Sequence, residues 1–263
     1  MSGTVRVRGH GIHGGRPCTT LLHRREGPVA FRRAGVEVRP RIERLAPGRR
    51  CTALGDDGVR VATVEHLLAA LHIRGVWWGL LIEVDADELP ILDGSAAPWD
   101  RALRELGAWP PPPRPVEVEA EVRDERGGRA RLEPGRRGLA VEIAFEHRAI
   151  GRQSWSGPPE AWPQLLRART FGFERDRHAL RAEGRALGAS DASAIVFGDD
   201  ADDVQLRFPD EPARHKALDA LGDLYLLGRP FAGRLRVRRG GHELHQRLVS
   251  EASARLASAR GAS

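Results

Sequence analysis

A chain of 263 residues with 41% hydrophobic and 30% charged residues can bury a core unaided and is too apolar for intrinsic disorder. Its two cysteines, Cys18 and Cys51, exclude a disulfide framework or a cysteine-rich zinc site, so any metal has to be held by histidines and carboxylates. The net charge of +6 invites a nucleic-acid reading, but the arginines are scattered among 36 acidic residues with no basic block interleaved with aromatics. A pocket for a phosphorylated small molecule uses the same charge, and no nucleic-acid partner is expected. The N-terminus MSGTVRVRGHGIHGG has no apolar leader core, and the most apolar run, residues 75–84, falls short of the roughly 20 residues of a membrane-crossing helix. A cytoplasmic protein is expected. Lys216 is the only lysine and asparagine is absent, a pattern that codon bias in a GC-rich genome explains and that singles out the lysine which remains.

In chain order, short strands are predicted over residues 4–8, 19–23 and 36–39, then a helix over 64–72, a buried strand over 80–84 and a helix over 99–106. Trp109 opens a run of Pro110, Pro111, Pro112, Pro113, Arg114 and Pro115, which no helix interior or central strand tolerates. It reads as a linker, 110–115, between an N-terminal domain of residues 1–109 and a C-terminal domain of residues 116–263. Beyond it come predicted strands over 116–122, 129–132 and 139–145 and helices over 163–170, 214–227 and 243–257. The order of content repeats, which suggests an α+β protein of two similar α/β-sandwich domains, each a sheet packed with helices, although no residue-level repeat is visible. Ligand sites are common in clefts between such halves.

Three segments carry chemistry. In residues 214–223, His215, Asp219 and Asp223 recur at i, i+4 and i+8 and so share one helical face, with Lys216 beside them. A solvated face is the plain alternative. Thr63 reads as an N-cap that places Glu65 and His66 in the first turn of a helix, where a carboxylate suits the dipole; capping electrostatics and an interfacial histidine would explain the pair without function. A zinc site that does chemistry wants about three protein ligands, an open position and a nearby base. His66, His215 and Asp219 would fill the first role and Glu65 the last. Finally, Gly240 and Gly241 deliver His242 to the start of the last helix, with His245 one turn on; a capping histidine is the alternative, a proton donor to a leaving amine the functional reading.

The runs D57-GVRVATVEHLLAAL and E88-LPILDGSAAP, with GIHGG at 11–15, ARTFGF at 168–173, RHKALDALGDLYLLG at 214–228 and GHEL at 241–244, follow in order the motifs of a known family. The chain resembles the UDP-3-O-acyl-N-acetylglucosamine deacetylases, zinc amidases of lipid A synthesis, over nearly its whole length. The resemblance implies zinc bound by His66, His215 and Asp219, with ferrous iron an alternative for such ligands. It implies Glu65 as general base and Thr170 as oxyanion partner. It further implies His242, held charged by Asp223, as oxyanion partner and acid. Lys216 would bind the sugar nucleotide, and Phe171 and Phe173 would line an acyl passage with an inserted strand–helix–strand, here about residues 170–196; core packing is the alternative for both rings. The implied substrate is UDP-3-O-acyl-N-acetylglucosamine, handled by a monomer without a membrane span, with peripheral membrane contact open. A paralogue acting on another N-acetylated sugar, or a basic binding protein that kept the fold, are the competing readings. The sequence departs from the family at residues 188–196, at Trp77 and Trp78, at His245 and Gln246 where two asparagines are usual, and in a short segment 197–206.

Overall fold

The computed structural model describes residues 3–48, 50–198 and 204–261. In β1 (Thr4–His10) the valines turn inward and the arginines outward, and β2 (Pro17–Pro28) continues the alternation with Cys18, Thr20 and Leu22 buried. A hairpin follows, β3 (Ala30–Arg33) and β4 (Val36–Val38), then a 3₁₀ turn at Ile42–Arg44 and a small sheet of β5 (Leu45–Ala46), β6 (Ala53–Asp56) and β7 (Val59–Ala62). The turn from β6 to β7 is Asp57-Gly58, both with positive φ, the geometry of a tight two-residue hairpin loop. Helix α1 (Glu65–Arg74), strand β8 (Trp78–Val84) and helix α2 (Ala97–Glu105) complete the first half. Strand β8 is nearly all apolar because it enters the middle of its sheet, antiparallel to β2 and parallel to β3.

The second half repeats this scheme with β9 (Ala120–Arg123), β10 (Arg129–Glu133), β11 (Gly138–Ala144) and β12 (Arg152–Gly157). An insertion of β13 (Phe171–Phe173), α3 (Glu174–Ala182) and β14 (Ile195–Phe197) precedes α4 (Glu211–Leu224), β15 (Arg234–Arg238) and α5 (His242–Gly261). The sheets run β1-β2-β8-β3-β4 and β12-β11-β15-β10-β9. Counted within its own half, each therefore has the order 1-2-5-3-4, and β15, like β8, is antiparallel to the second strand and parallel to the third. The protein is α+β, with a duplication written in topology rather than in residues.

Helices α1 and α4 pack on each other between the sheets, α4 also against β11 and β12, α5 against β9 and β10, and α2 against α1 and β1. One continuous apolar core reaches from Leu22 and Phe31 to Leu235 and Val237. The contact of α1 with α4 is intimate at Gly222, where a Cβ would run into the Glu65 carbonyl oxygen. Only glycine lets the two backbones approach this closely.

Several elements differ from expectation. Residues 163–170 are not an α-helix but the tail of a 3₁₀ helix, Pro159–Arg167, and an extended exit, because Pro163 inside it removes an N–H donor. The strand expected from residue 116 begins at Ala120; Val116 makes a lone bridge to Phe231. Helix α4 starts earlier than expected, with Pro212 in its first turn, and its last turn is 3₁₀, Tyr225–Leu227, closed by left-handed Gly228. Of the short segment 197–206, residues 199–203 lie outside the described residues. No described helix is long and apolar enough to cross a membrane.

Candidate active site

The site begins where β7 turns into α1. Thr63 is not the N-cap: it has φ 58°, a left-handed conformation that costs a β-branched residue roughly 1–2 kcal/mol, and its hydroxyl donates to Glu88 Oε1 at 3.0 Å. The Glu88 carboxylate also accepts from the backbone N–H groups of His13 and Gly14, at 2.9 and 2.8 Å, so one buried side chain pins the Thr63 turn and the 11–15 loop together. Val64 occupies the N-cap position, and Glu65 and His66 enter the first turn, each 4% exposed.

Helix α4 meets them with the predicted face. His215, Asp219 and Asp223 are all buried, and His66 Nε2 and His215 Nε2 lie 3.8 and 3.4 Å from Asp219 Oδ1. That oxygen has no hydrogen-bond partner, and a buried carboxylate oxygen left so is costly. Donors each about 2.0–2.1 Å from one tetrahedral ion stand roughly 3.3 Å apart, so the three atoms suit a divalent metal. The second Asp219 oxygen is already taken by Lys216 Nζ at 2.9 Å, and His215 Nδ1 faces the Ala168 carbonyl at 3.5 Å. Such an outer contact fixes an imidazole with its other nitrogen turned inward.

Beside this trio sits a second linked group. Glu65 Oε2 accepts the Thr52 backbone N–H at 2.9 Å, while Oε1 faces His242 Nε2 at 3.8 Å. His242 Nδ1 is 2.8 Å from Asp223 Oδ2, the Thr52 hydroxyl donates to Asp223 Oδ1, and Gln246 Nε2 donates to Thr52 Oγ1 at 3.0 Å. The groupings His66, His215, Asp219 and Asp223, His242, His245 are the metal-competent clusters among the described residues. In the second, nitrogens at hydrogen-bonding distance from the carboxylate leave no space for an ion.

Electrostatics separates the roles. Burial pushes the Glu65 carboxyl up to about 7, with the Asp219 anion adding to the effect and His242 opposing it. Burial alone would lower His242, but Asp223, Asp219 and Glu65 raise it to about 10. Burial lowers His215 to about 3 and His66 in the same direction, so both present neutral nitrogens. Burial works upward on Asp219, yet the surrounding His215 and Lys216 outweigh it and hold the group well below the carboxylate range. A carboxyl poised near neutrality beside an imidazolium, next to two neutral imidazoles and an anion, is a combination suited to acid–base work at a metal-type cluster.

The remaining expected residues surround this centre at different distances. Thr170 is half-buried, its N–H donating to Gly94 O at 2.7 Å and its carbonyl accepting from Ile195 N at 2.8 Å. The Phe171 ring is 6.0 Å from that of His215, centroid to centroid, and Lys216 Nζ stands 5.5 Å above it. Phe173 is one step further out, packed with Phe145, His147 and Phe197. Sequence reasoning missed Thr52, which touches both Glu65 and Asp223, and Glu88; neither belongs to a periodic pattern, and their partners are distant in the chain.

Fold and site together define the class: an α+β hydrolase built from two like-ordered sheets, with a buried His₂Asp cluster and an adjacent carboxylate where α1 meets α4. The chain belongs to the UDP-3-O-acyl N-acetylglycosamine deacetylase family, whose family model matches residues 1–254. It is 41% identical over 261 residues to the UDP-3-O-acyl-N-acetylglucosamine deacetylase of Anaeromyxobacter dehalogenans (strain 2CP-C), covering 94% of this chain and 84% of that relative. The protein of the same name in Brucella melitensis biotype 2 (strain ATCC 23457) is 38% identical over 262 residues, covering 93% of this chain and 91% of its own.

Proposed function

We propose that this chain hydrolyses the N-acetyl amide of UDP-3-O-acyl-N-acetylglucosamine in lipid A biosynthesis, giving acetate and a free amine. Family membership supplies the substrate class. The observation that carries the site is Asp219 Oδ1, buried without a partner and facing the Nε2 atoms of His66 and His215. These three residues would hold a divalent metal, zinc or ferrous iron, which when bound polarises an amide carbonyl and acidifies water.

The chain's own groups then divide the proton work. Glu65, held by the Thr52 N–H at one oxygen, presents the other to the cluster and takes the proton of the attacking water, its raised pKa matching the task near neutral pH. His242 reaches the same space with Nε2–H, and the Asp223 carboxylate at Nδ1 keeps the ring charged. That charge, with Thr170, stabilises the developing oxyanion, and the Nε2 proton passes to the departing nitrogen. Lys216 binds the sugar nucleotide, its ammonium resting over Phe171; Phe171 and Phe173 begin the acyl passage toward the β13–α3–β14 insertion. A monomer acting in the cytoplasm, in keeping with a place in lipid A biosynthesis, belongs to the same reading. The strands of one sheet precede residues 110–115 and those of the other follow, which supports a domain division there.

Acetate release from UDP-3-O-acyl-N-acetylglucosamine by the purified protein tests the reading. Turnover is expected to stop with a chelator and return with equimolar zinc or ferrous iron. A folded, metal-loaded protein that releases no acetate from this substrate overturns it.

A further inference from the structure

Asp223 holds two imidazoles, and only one belongs to the chemistry above. His242 Nδ1 and His245 Nδ1 each lie 2.8 Å from the same atom, Asp223 Oδ2. An ionised carboxylate only accepts, so both rings present Nδ1–H to it. Asp223 is 0% exposed, so no water replaces a bond that is lost.

The rest of His245 has nothing else to do with its polarity. Its Nε2 is buried without a partner, and a Cβ on Gly240 would lie 3.0 Å from it. The ring therefore fills the space between Asp223 and the Gly240-Gly241 turn that delivers His242. Leaving a ring nitrogen dry costs free energy that a phenylalanine would not incur, so the bond to Asp223 is what distinguishes histidine here. The neighbouring Gln246 steadies the other carboxylate oxygen through Thr52. The first turn of α5 thus braces both ends of Asp223.

We infer that His245 is a positioning residue: by donating to Asp223 Oδ2 it fixes the rotation of the carboxylate and so aims His242 Nε2 at the space it shares with Glu65 and Asp219. The inference rests on the reading of His242 as acid.

Two substitutions separate the hydrogen bond from the packing. His245→Asn places an amide nitrogen where Nδ1 stands and gives up the ring; His245→Phe keeps the ring and gives up the donor. With zinc content and unfolding midpoints measured alongside, the phenylalanine variant is expected to lose kcat on the order of 10- to 100-fold with little change in KM, and the asparagine variant to keep most of it. The reverse ranking, or a phenylalanine variant altered in KM alone, overturns the inference. Proton NMR of the zinc-loaded full chain gives a readout that does not depend on turnover: two downfield imidazole N–H signals are expected. His245→Phe should remove one and shift the other, whereas His245→Asn should remove one and leave the other in place. An unmoved His242 signal in the phenylalanine variant refutes the bracing. Expected NMR behaviour in a wild type that releases no acetate would leave the bracing standing and sink the deacetylase reading instead.

Discussion

Helices α1 and α4 hold the same place in their halves, between the fourth strand and the strand that enters the centre of the sheet, yet they serve the site in opposite ways. Helix α1 gives its first two residues and is apolar from Leu67 to Leu71. Helix α4 gives a face, with His215, Asp219 and Asp223 on successive turns. The start of a helix has free N–H groups and a positive dipole end, so Glu65 can be buried there with one further donor, the Thr52 N–H. Mid-helix there is no free backbone donor, and each carboxylate on α4 needs side-chain partners: Lys216 of the same helix for Asp219, and Thr52, His242 and His245 from elsewhere in the chain for Asp223. One framework used end-on and side-on gives a carboxyl with raised pKa and, facing the same His242 ring, two carboxylates held as anions.

The contrast is broken most completely at Asp219. Asp219→Ala is expected to release the metal and bring turnover to background, measured as metal per chain after gel filtration; a variant that keeps stoichiometric metal would remove Asp219 from the ligand set. On α1, Glu65→Gln is expected to keep the metal but lose on the order of 10²- to 10⁴-fold in kcat, because it removes the proton acceptor alone. Near-normal turnover in that variant would take the base assignment away from α1.

Half of this arrangement is legible in the sequence because it is local. The spacing of His215, Asp219 and Asp223 is a property of any helix, and Glu65 and His66 are adjacent. What the chain order conceals is set by long-range contacts. Thr63 looks like an N-cap, but Glu88 draws its hydroxyl away and the chain turns left-handed instead. Thr52 is a threonine in a loop until the fold carries it to Asp223, 171 residues on. Strand β15 is local as well: Arg234, Arg236 and Arg238 line the open face while Leu235 and Val237 reach the core, the alternation of a half-buried strand. The Asp57-Gly58 hairpin likewise carries its turn signal in two adjacent residues.

The joint between the two helices offers a smaller effect. Gly222→Ala adds a Cβ that meets the Glu65 backbone, so α1 and α4 must part. A loss at the upper end of about 1–3 kcal/mol in unfolding free energy is expected, with a fall in kcat because the base moves away from the anions. Unchanged denaturant midpoint and kcat would show that the close crossing is not needed.

The smallest effect sharpens the same joint through pH. His72, near the end of α1, donates Nδ1–H to the Leu221 carbonyl of α4 at 2.8 Å, while its Nε2 is buried without a partner among Trp77, Trp162 and Tyr225. Burial lowers its pKa from 6.5 to about 4, so between these values the unfolded chain binds a proton that the folded one refuses. The contribution to stability is therefore complete above pH 6.5 and is lost as the pH falls toward 4. Relative to His72→Phe, which cannot titrate, the wild type should lose roughly 2 kcal/mol between pH 7 and pH 5, read from urea unfolding at each pH. Taking the difference cancels His242, whose raised pKa acts with the opposite sign and at higher pH. A gap between the two proteins that does not change with pH would mean that His72 takes up its proton as readily in the folded state as in the unfolded one, and that the joint tolerates a charge where burial says it cannot.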